Sequence, residues 1–227
     1  SLGLDENTIV IFTSDNGSLG NVHPPFGDRK ELIGGSNLPL RGAKGTTWEG
    51  GQRVPEIVRW KGKIEAGRVC DELLTAMDFY PTLANLCGAK VPQDRIIDGI
   101  DAQAVWFDTQ AKSQHEHFVY YRANGLEAIR DRQYKLHFGR GNQDVFELYD
   151  IAHDVSETVN VYDQYPEVVA SLTKAANHYR HTLRDDRTGC VGTQVRPIGR
   201  VENPRPLTEF DSRHPYVIAE YDLPDRG

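Results

Sequence analysis

The stretch "TIVIFTSDNGSLG", residues 8–20, decides the fold. Thr8-Ile9-Val10-Ile11-Phe12 is apolar on consecutive positions, the pattern of a strand covered on both faces, as in the parallel core of an α/β sheet. It stops on Asp15, Asn16 and Gly17. In open α/β sheets ligands bind beyond the carboxyl ends of the strands, so a carboxylate and an amide at that point are candidate ligands. Their hard oxygens suit Ca²⁺ or Mg²⁺ better than zinc. Taken alone, Asp-Asn-Gly reads first as a turn. Leu2-Gly3 reads as the end of a helix with its terminal glycine, so the chain is expected to start inside a domain.

Composition sets bounds on this reading. The chain has 227 residues, 38% hydrophobic and 26% charged, which is ordinary for a globular protein with a real core. A formal net charge of −7 argues against nonspecific binding to nucleic acid, which needs a basic face. No apolar run reaches the length of a membrane span. Cys70, Cys87 and Cys190 are too scattered for a disulfide framework or a metal site, and Cys87 is expected as a small buried hydrophobe.

Residues 18–47 are rich in Gly, Pro and Asn and read as a long loop. "VPEIVRWKG" (54–62) resumes a strand pattern. "DFYPTLANLCGA" (78–89) reads as a helix with Asp78 as candidate cap and Gly88 as terminator. After a linker-like stretch, "HFVYYR" (117–122), "LEAIRD" (126–131), "QYKLHF" (133–138) and "VFELYD" (145–150) predict an antiparallel meander. A helix from Pro166 to Leu183 offers Val169, Leu172, Ala176, Tyr179 and Leu183 to one face of that meander. Residues 184–227 read as an extended tail. The expected organisation is therefore 1–114, 115–183 and 184–227.

A second motif bears on the first. In "LRGAKGTTWEGGQRVP" (40–55), Lys44 lies among Gly42, Gly45, Gly50 and Gly51, on a backbone able to come close to an anion. It does not match a Walker A loop, because Lys44 is followed by Gly45 rather than Ser or Thr. A solvated surface lysine is the competing reading.

Taken together, Ser14-Asp15-Asn16-Gly17 and the Lys44 segment resemble the C-terminal half of a formylglycine-dependent, arylsulfatase-like sulfatase of the alkaline phosphatase superfamily. The resemblance continues through "MDFYPTLANLCGA", "AIRDRQYKL" and "ELYDIAHDVSETVNV" to about residue 183. It implies an α/β fold: the C-terminal part of an alkaline phosphatase-like mixed-sheet sandwich, with a small antiparallel sheet plus helix. It implies that Asp15 and Asn16 are ligands of Ca²⁺, with Mg²⁺ as the alternative, and that Lys44 touches a sulfate oxygen. His23, in the loop after the metal motif, is a candidate substrate contact.

The family's nucleophile, formylglycine made from Cys or Ser in Cys/Ser-x-Pro/Ala-x-Arg, has no match in this chain, and neither has its early Asp-Asp metal pair. Asp185-Asp186 reads as a solvated helix exit. The formylglycine is therefore expected upstream, and the chain alone is expected to be inactive. Its partners would be a sulfate ester, carbohydrate or aryl, and either the N-terminal half of the same protein or a companion chain. The resemblance implies an extracytoplasmic location. A phosphate-ester hydrolase or transferase of the same superfamily and a noncatalytic pseudo-sulfatase are the alternatives.

Overall fold

The computed structural model describes residues 2–19, 35–197 and 202. Residues 1–195 fall in one compact unit, to which the following applies. Strand β1 (Ile9–Thr13) runs antiparallel to β2 (Glu56–Trp60), with Ile9 opposite Trp60 and Thr13 opposite Glu56. Among the described residues the partner of β1 is this antiparallel strand. Its apolar residues are not covered on both faces, for Val10 is 48% and Phe12 61% exposed. The consecutive apolar pattern is a strand signal without a matching cover in this set of residues.

Between these strands lies a single-turn helix, α1 (Glu49–Gln52), and after them come α2 (Phe79–Leu86) and α3 (Gln103–Phe107). Helix α2 ends as expected, with Gly88 at φ +71° and the Ala89 amide donating to the Ala84 carbonyl. Asp78 holds the N-cap position of α2, but its side chain makes no capping bond there. The carboxylate instead accepts from the amides of Thr75 (2.7 Å) and Ile100 (2.9 Å) and meets His115 Nε2 at 2.9 Å, so it braces three segments. Cys87, placed past the last turn, is exposed rather than buried.

The meander forms as the alternation predicts. Strands β3 (Phe118–Arg122), β4 (Gly125–Arg130), β5 (Tyr134–Arg140) and β6 (Gln143–Asp150) lie in sequence order, all antiparallel. Ile129, Leu136 and Leu148 stand opposite one another on one face, where Leu172 and Ala176 of α4 (Pro166–Leu183) close the core. By the two-residue period of strands, Arg130, Lys135, His137 and Tyr149 occupy the other face.

The chain after α4 is less solvated than its composition suggests. Asp185 is fully buried, accepting from the Leu126 and Arg187 amides and from Arg180 Nε at 2.8 Å, whereas Asp186 is exposed and paired with Arg184. The expectation of a solvated Asp185-Asp186 exit therefore holds only for Asp186. The reason is that β4 starts with an unpaired amide at Leu126 that needs a buried acceptor.

Candidate active site: a lysine loop against a strand terminus

Three backbone segments meet at the end of β1. The Gly17 amide donates to the Gly51 carbonyl at 3.2 Å, and the Lys44 amide donates to the Ser18 carbonyl at 2.9 Å. Asn37 completes the junction, its Oδ1 accepting from the Ser18 amide and its Nδ2 donating to the carbonyls of Ser18 and Gly42. The approach is close enough to require glycine. A Cβ on Gly17 would lie 1.8 Å from the Gly50 carbonyl oxygen, and one on Gly50 would lie 2.6 Å from the carbonyl oxygens of Arg41 and Gly42.

This packing brings the two sequence motifs together. Asp15 is exposed, Asn16 is half-buried, and the Asn16 amide nitrogen donates to the Gly17 carbonyl, a bond that does not use its oxygen. Lys44 is exposed at the tip of a tight turn in which both the Thr46 amide and hydroxyl donate to the Ala43 carbonyl. Asp15 also lines a cleft of about 1170 Å³ together with Ser14, Gln52, Arg53, Trp106 and Tyr120. No cluster of three or more His, Cys, Asp or Glu side chains able to hold a metal occurs among the described residues. His23 lies outside the described residues.

Directly after the lysine turn, Thr47, Trp48 and Glu49 are buried against the polar face of the four-stranded sheet. Thr47 Oγ1 donates to Glu127 at 2.7 Å. The Trp48 ring packs on His137 (4.7 Å) and Tyr149 (5.8 Å), and the Arg41 and Arg140 guanidiniums lie 3.8 and 4.2 Å from its centroid. Glu49, wholly buried, meets Lys135 Nζ at 3.0 Å, the Tyr120 hydroxyl at 2.6 Å and Arg130 at 3.2 Å. Glu157, also wholly buried, accepts from the Glu49 amide at 2.7 Å and lies 3.0 Å from both Lys135 Nζ and His137 Nε2.

These partners determine charge states. Burial alone would raise the Glu49 carboxyl; Lys135, then Arg130 and the Tyr120 hydroxyl, outweigh it and hold the group below its ordinary value. Burial and the adjacent Glu49 push the Tyr120 phenol well above 10. Burial pulls His137 below its ordinary value, with Lys135 and Arg140 adding to that and Glu157 opposing it, so the imidazole is neutral in the cluster. Its Nδ1 has no partner among the described residues, which assigns the proton to Nε2 and makes it the donor to Glu157.

Sequence reading had singled out Lys44 and passed over Glu49, Lys135 and Glu157. A signal existed for Lys135. In "YKLHF" strand alternation puts Lys135 and His137 on one face, opposite the apolar Leu136 and Phe138, and a lysine at that place calls for a buried carboxylate. Arg130, on the same sheet face, is a partner of Glu49.

Residues 43–182 match the family model described as "N-sulphoglucosamine sulphohydrolase, C-terminal". The chain is 44% identical over 129 residues to steryl-sulfatase of Mus musculus, covering 57% of this chain and 20% of that protein. It is 34% identical over 216 residues to arylsulfatase D of Homo sapiens, covering 80% and 36%. Among solved structures, the PsFucS1 sulfatase from Pseudoalteromonas sp. aligns with a TM-score of 0.67 and 32% identity over 78% of this chain and 37% of that one. The chain thus spans about a fifth to just over a third of the curated relatives named. With a family model matching well over half of its residues, the chain belongs to the N-sulphoglucosamine sulphohydrolase C-terminal family, among the sulfatases.

Proposed function

We propose that this chain forms part of a sulfate ester hydrolase, in which Lys44 holds a nonbridging oxygen of the sulfuryl group and Asp15 and Asn16 ligate a Ca²⁺ ion. The observation that carries this is the pair of backbone hydrogen bonds, Lys44 to Ser18 and Gly17 to Gly51, that sets the exposed lysine turn against the strand terminus bearing Asp15 and Asn16. The donor set fits such a cation: an exposed carboxylate and an amide oxygen not used by the Asn16–Gly17 bond are hard ligands, suited to Ca²⁺ or Mg²⁺. When bound, the ion would neutralise charge on the sulfuryl oxygens.

This chain's own share is electrostatic. An ammonium on a fixed backbone turn attracts the ester's oxygens and stabilises charge as the ester bond breaks, without reorganising. Lysine suits that task as a compact point charge. The formylglycine nucleophile is assigned to residues outside this chain, in the same polypeptide or a companion. His23 is carried as a substrate contact on its place in the loop after the metal motif. The substrate is a carbohydrate or aryl sulfate, and an extracytoplasmic site of action follows from the family.

The test uses the protein expressed at full length from its own gene. Sulfate release from an aryl sulfate and from sulfated sugars should fall about 10²- to 10³-fold in Lys44→Ala, the loss typical of one fixed oxyanion donor. Asp15→Ala should weaken calcium binding in equilibrium dialysis while the melting temperature stays close to wild type, since Asp15 is exposed. Absence of sulfate release by the wild type, or equal rates in Lys44→Ala, would overturn the assignment.

A further inference from the structure

A single turn after β6 grips both ends of the lysine loop. The Ser156 hydroxyl donates to the Pro39 carbonyl at 2.6 Å, and the Glu157 carbonyl accepts from Arg41 at 2.8 Å, on the side where the chain enters the loop. On the side where it leaves, Glu157 Oε2 accepts from the Glu49 amide at 2.7 Å. Glu157 itself sits at φ +53°, a left-handed conformation that disfavours a side chain with a Cβ. Such a residue persists where its surroundings over-determine it, and here Lys135 and His137 hold its other carboxylate oxygen.

We propose that the Ser156-Glu157 turn is a positioning clamp for Lys44, so that the four-stranded sheet sets where the lysine's charge stands. This rests on the reading of Lys44 as the sulfate-holding residue. The geometry separates the roles of the parts. Lys44 is exposed and its own side chain is not held by the cluster, so its position is inherited from the stem of its loop. That stem runs from Pro39 to Glu49, and residues 156 and 157 touch both of its ends. A shift of about 1 Å in a group that stabilises a transition state can cost on the order of 10²-fold in rate. The clamp therefore acts on turnover through Lys44 rather than on the ester itself.

Two variants test this in the full-length protein expressed from its gene. Ser156→Ala deletes the grip on Pro39 and leaves the buried cluster intact. Glu157→Gln keeps an acceptor for the Glu49 amide and removes the charge that faces Lys135 and His137. The first readout is amide hydrogen exchange at Lys44, whose amide is bonded to Ser18. Exchange there should quicken about three- to tenfold in Ser156→Ala, which is one hydrogen bond's worth, and more in Glu157→Gln, while the Leu136 and Leu148 amides hold.

The second readout is kcat for sulfate release, expected to fall about tenfold or more in each variant, yet by less than about twofold when either change is made on top of Lys44→Ala. A merely structural role would instead multiply with the Lys44 loss. Unchanged Lys44 exchange in Ser156→Ala overturns the clamp, as do losses that multiply. If Glu157→Gln does not fold, Ser156→Ala decides alone. Should the wild type release no sulfate at all, the hydrolase reading falls, and the exchange result still decides whether the turn holds the loop.

Discussion

Replacing Lys135 with Met tests whether the cluster beneath the lysine loop is organised by charge. Lys135 is wholly buried, with Nζ 3.0 Å from a carboxylate oxygen of Glu49 and 3.0 Å from one of Glu157, and it lies 3.9 Å from the centroid of the Tyr120 ring. At an effective dielectric constant of about 20, each contact carries a gross attraction of about 5 kcal/mol. Much of that is offset by the cost of burying the ammonium, which Met does not incur. What remains is the cost of two buried carboxylates with one partner fewer, on the order of 3–5 kcal/mol. Glu49 still has Arg130 and Tyr120, and Glu157 still has His137 and the Glu49 amide.

The pH dependence makes the prediction specific. In the wild type His137 is held below its ordinary 6.5, so the unfolded chain binds more protons in the window between that depressed value and 6.5, and stability falls as pH falls through it. With Lys135 gone, a cation that suppresses His137 is lost while Glu157 remains beside it, so the imidazole gains affinity for a proton. A higher folded-state value narrows the window in which protonating His137 costs stability, so the deficit of the variant shrinks as pH falls. Urea unfolding followed by tryptophan fluorescence should therefore show Lys135→Met less stable by about 3–5 kcal/mol near pH 8, and by less than that near pH 5.5. A loss under about 1 kcal/mol near pH 8, or one that deepens in acid, would refute the charge account.

Two further substitutions probe the framework of the site. Gly17→Ala places a Cβ 1.8 Å from the Gly50 carbonyl oxygen, backbone that has no flexible side chain to move aside, so thermal unfolding should show a loss of about 3 kcal/mol or more, and the Lys44 amide should lose protection with it. Asp185→Ala strands the Leu126 and Arg187 amides and leaves Arg180 with Asn177 but without its carboxylate partner, and should cost about 3 kcal/mol in the same assay, whereas Asp186→Ala, next in sequence but exposed, should stay within about 0.5 kcal/mol. Equal effects at the two aspartates would remove the distinction drawn between them.

The elements of the four-stranded sheet were legible because each strand alternates on its own and each turn is short. Its helix was legible because Leu172 and Ala176 fall on one helical face, and both are buried as that face requires. Motifs were legible where chemistry is concentrated in adjacent residues, as in Ser14-Asp15-Asn16-Gly17. Partnerships across the chain were not. Asp78 reads as a cap from its neighbours, yet its acceptor oxygens serve Thr75 and Ile100 and meet His115. Asp185 and Asp186 are indistinguishable in sequence, and only the place where β4 begins separates a buried acceptor from a solvated one.

That limit has a physical origin which also bears on how the site works. A glycine-rich loop such as 40–51 has little local preference for one conformation, because each glycine loses more freedom on ordering than another residue would. Its order must come from contacts elsewhere in the chain. Here they come from Ser18 on one side and from Ser156, Glu157, Lys135 and Tyr120 on the other. The glycines that let the loop come within hydrogen-bonding reach of the strand terminus are the same ones that leave it unable to hold itself there. A buried ion cluster far along the sequence supplies the rigidity, and under the function proposed above that rigidity is what would set Lys44 apart from a solvated lysine on a surface.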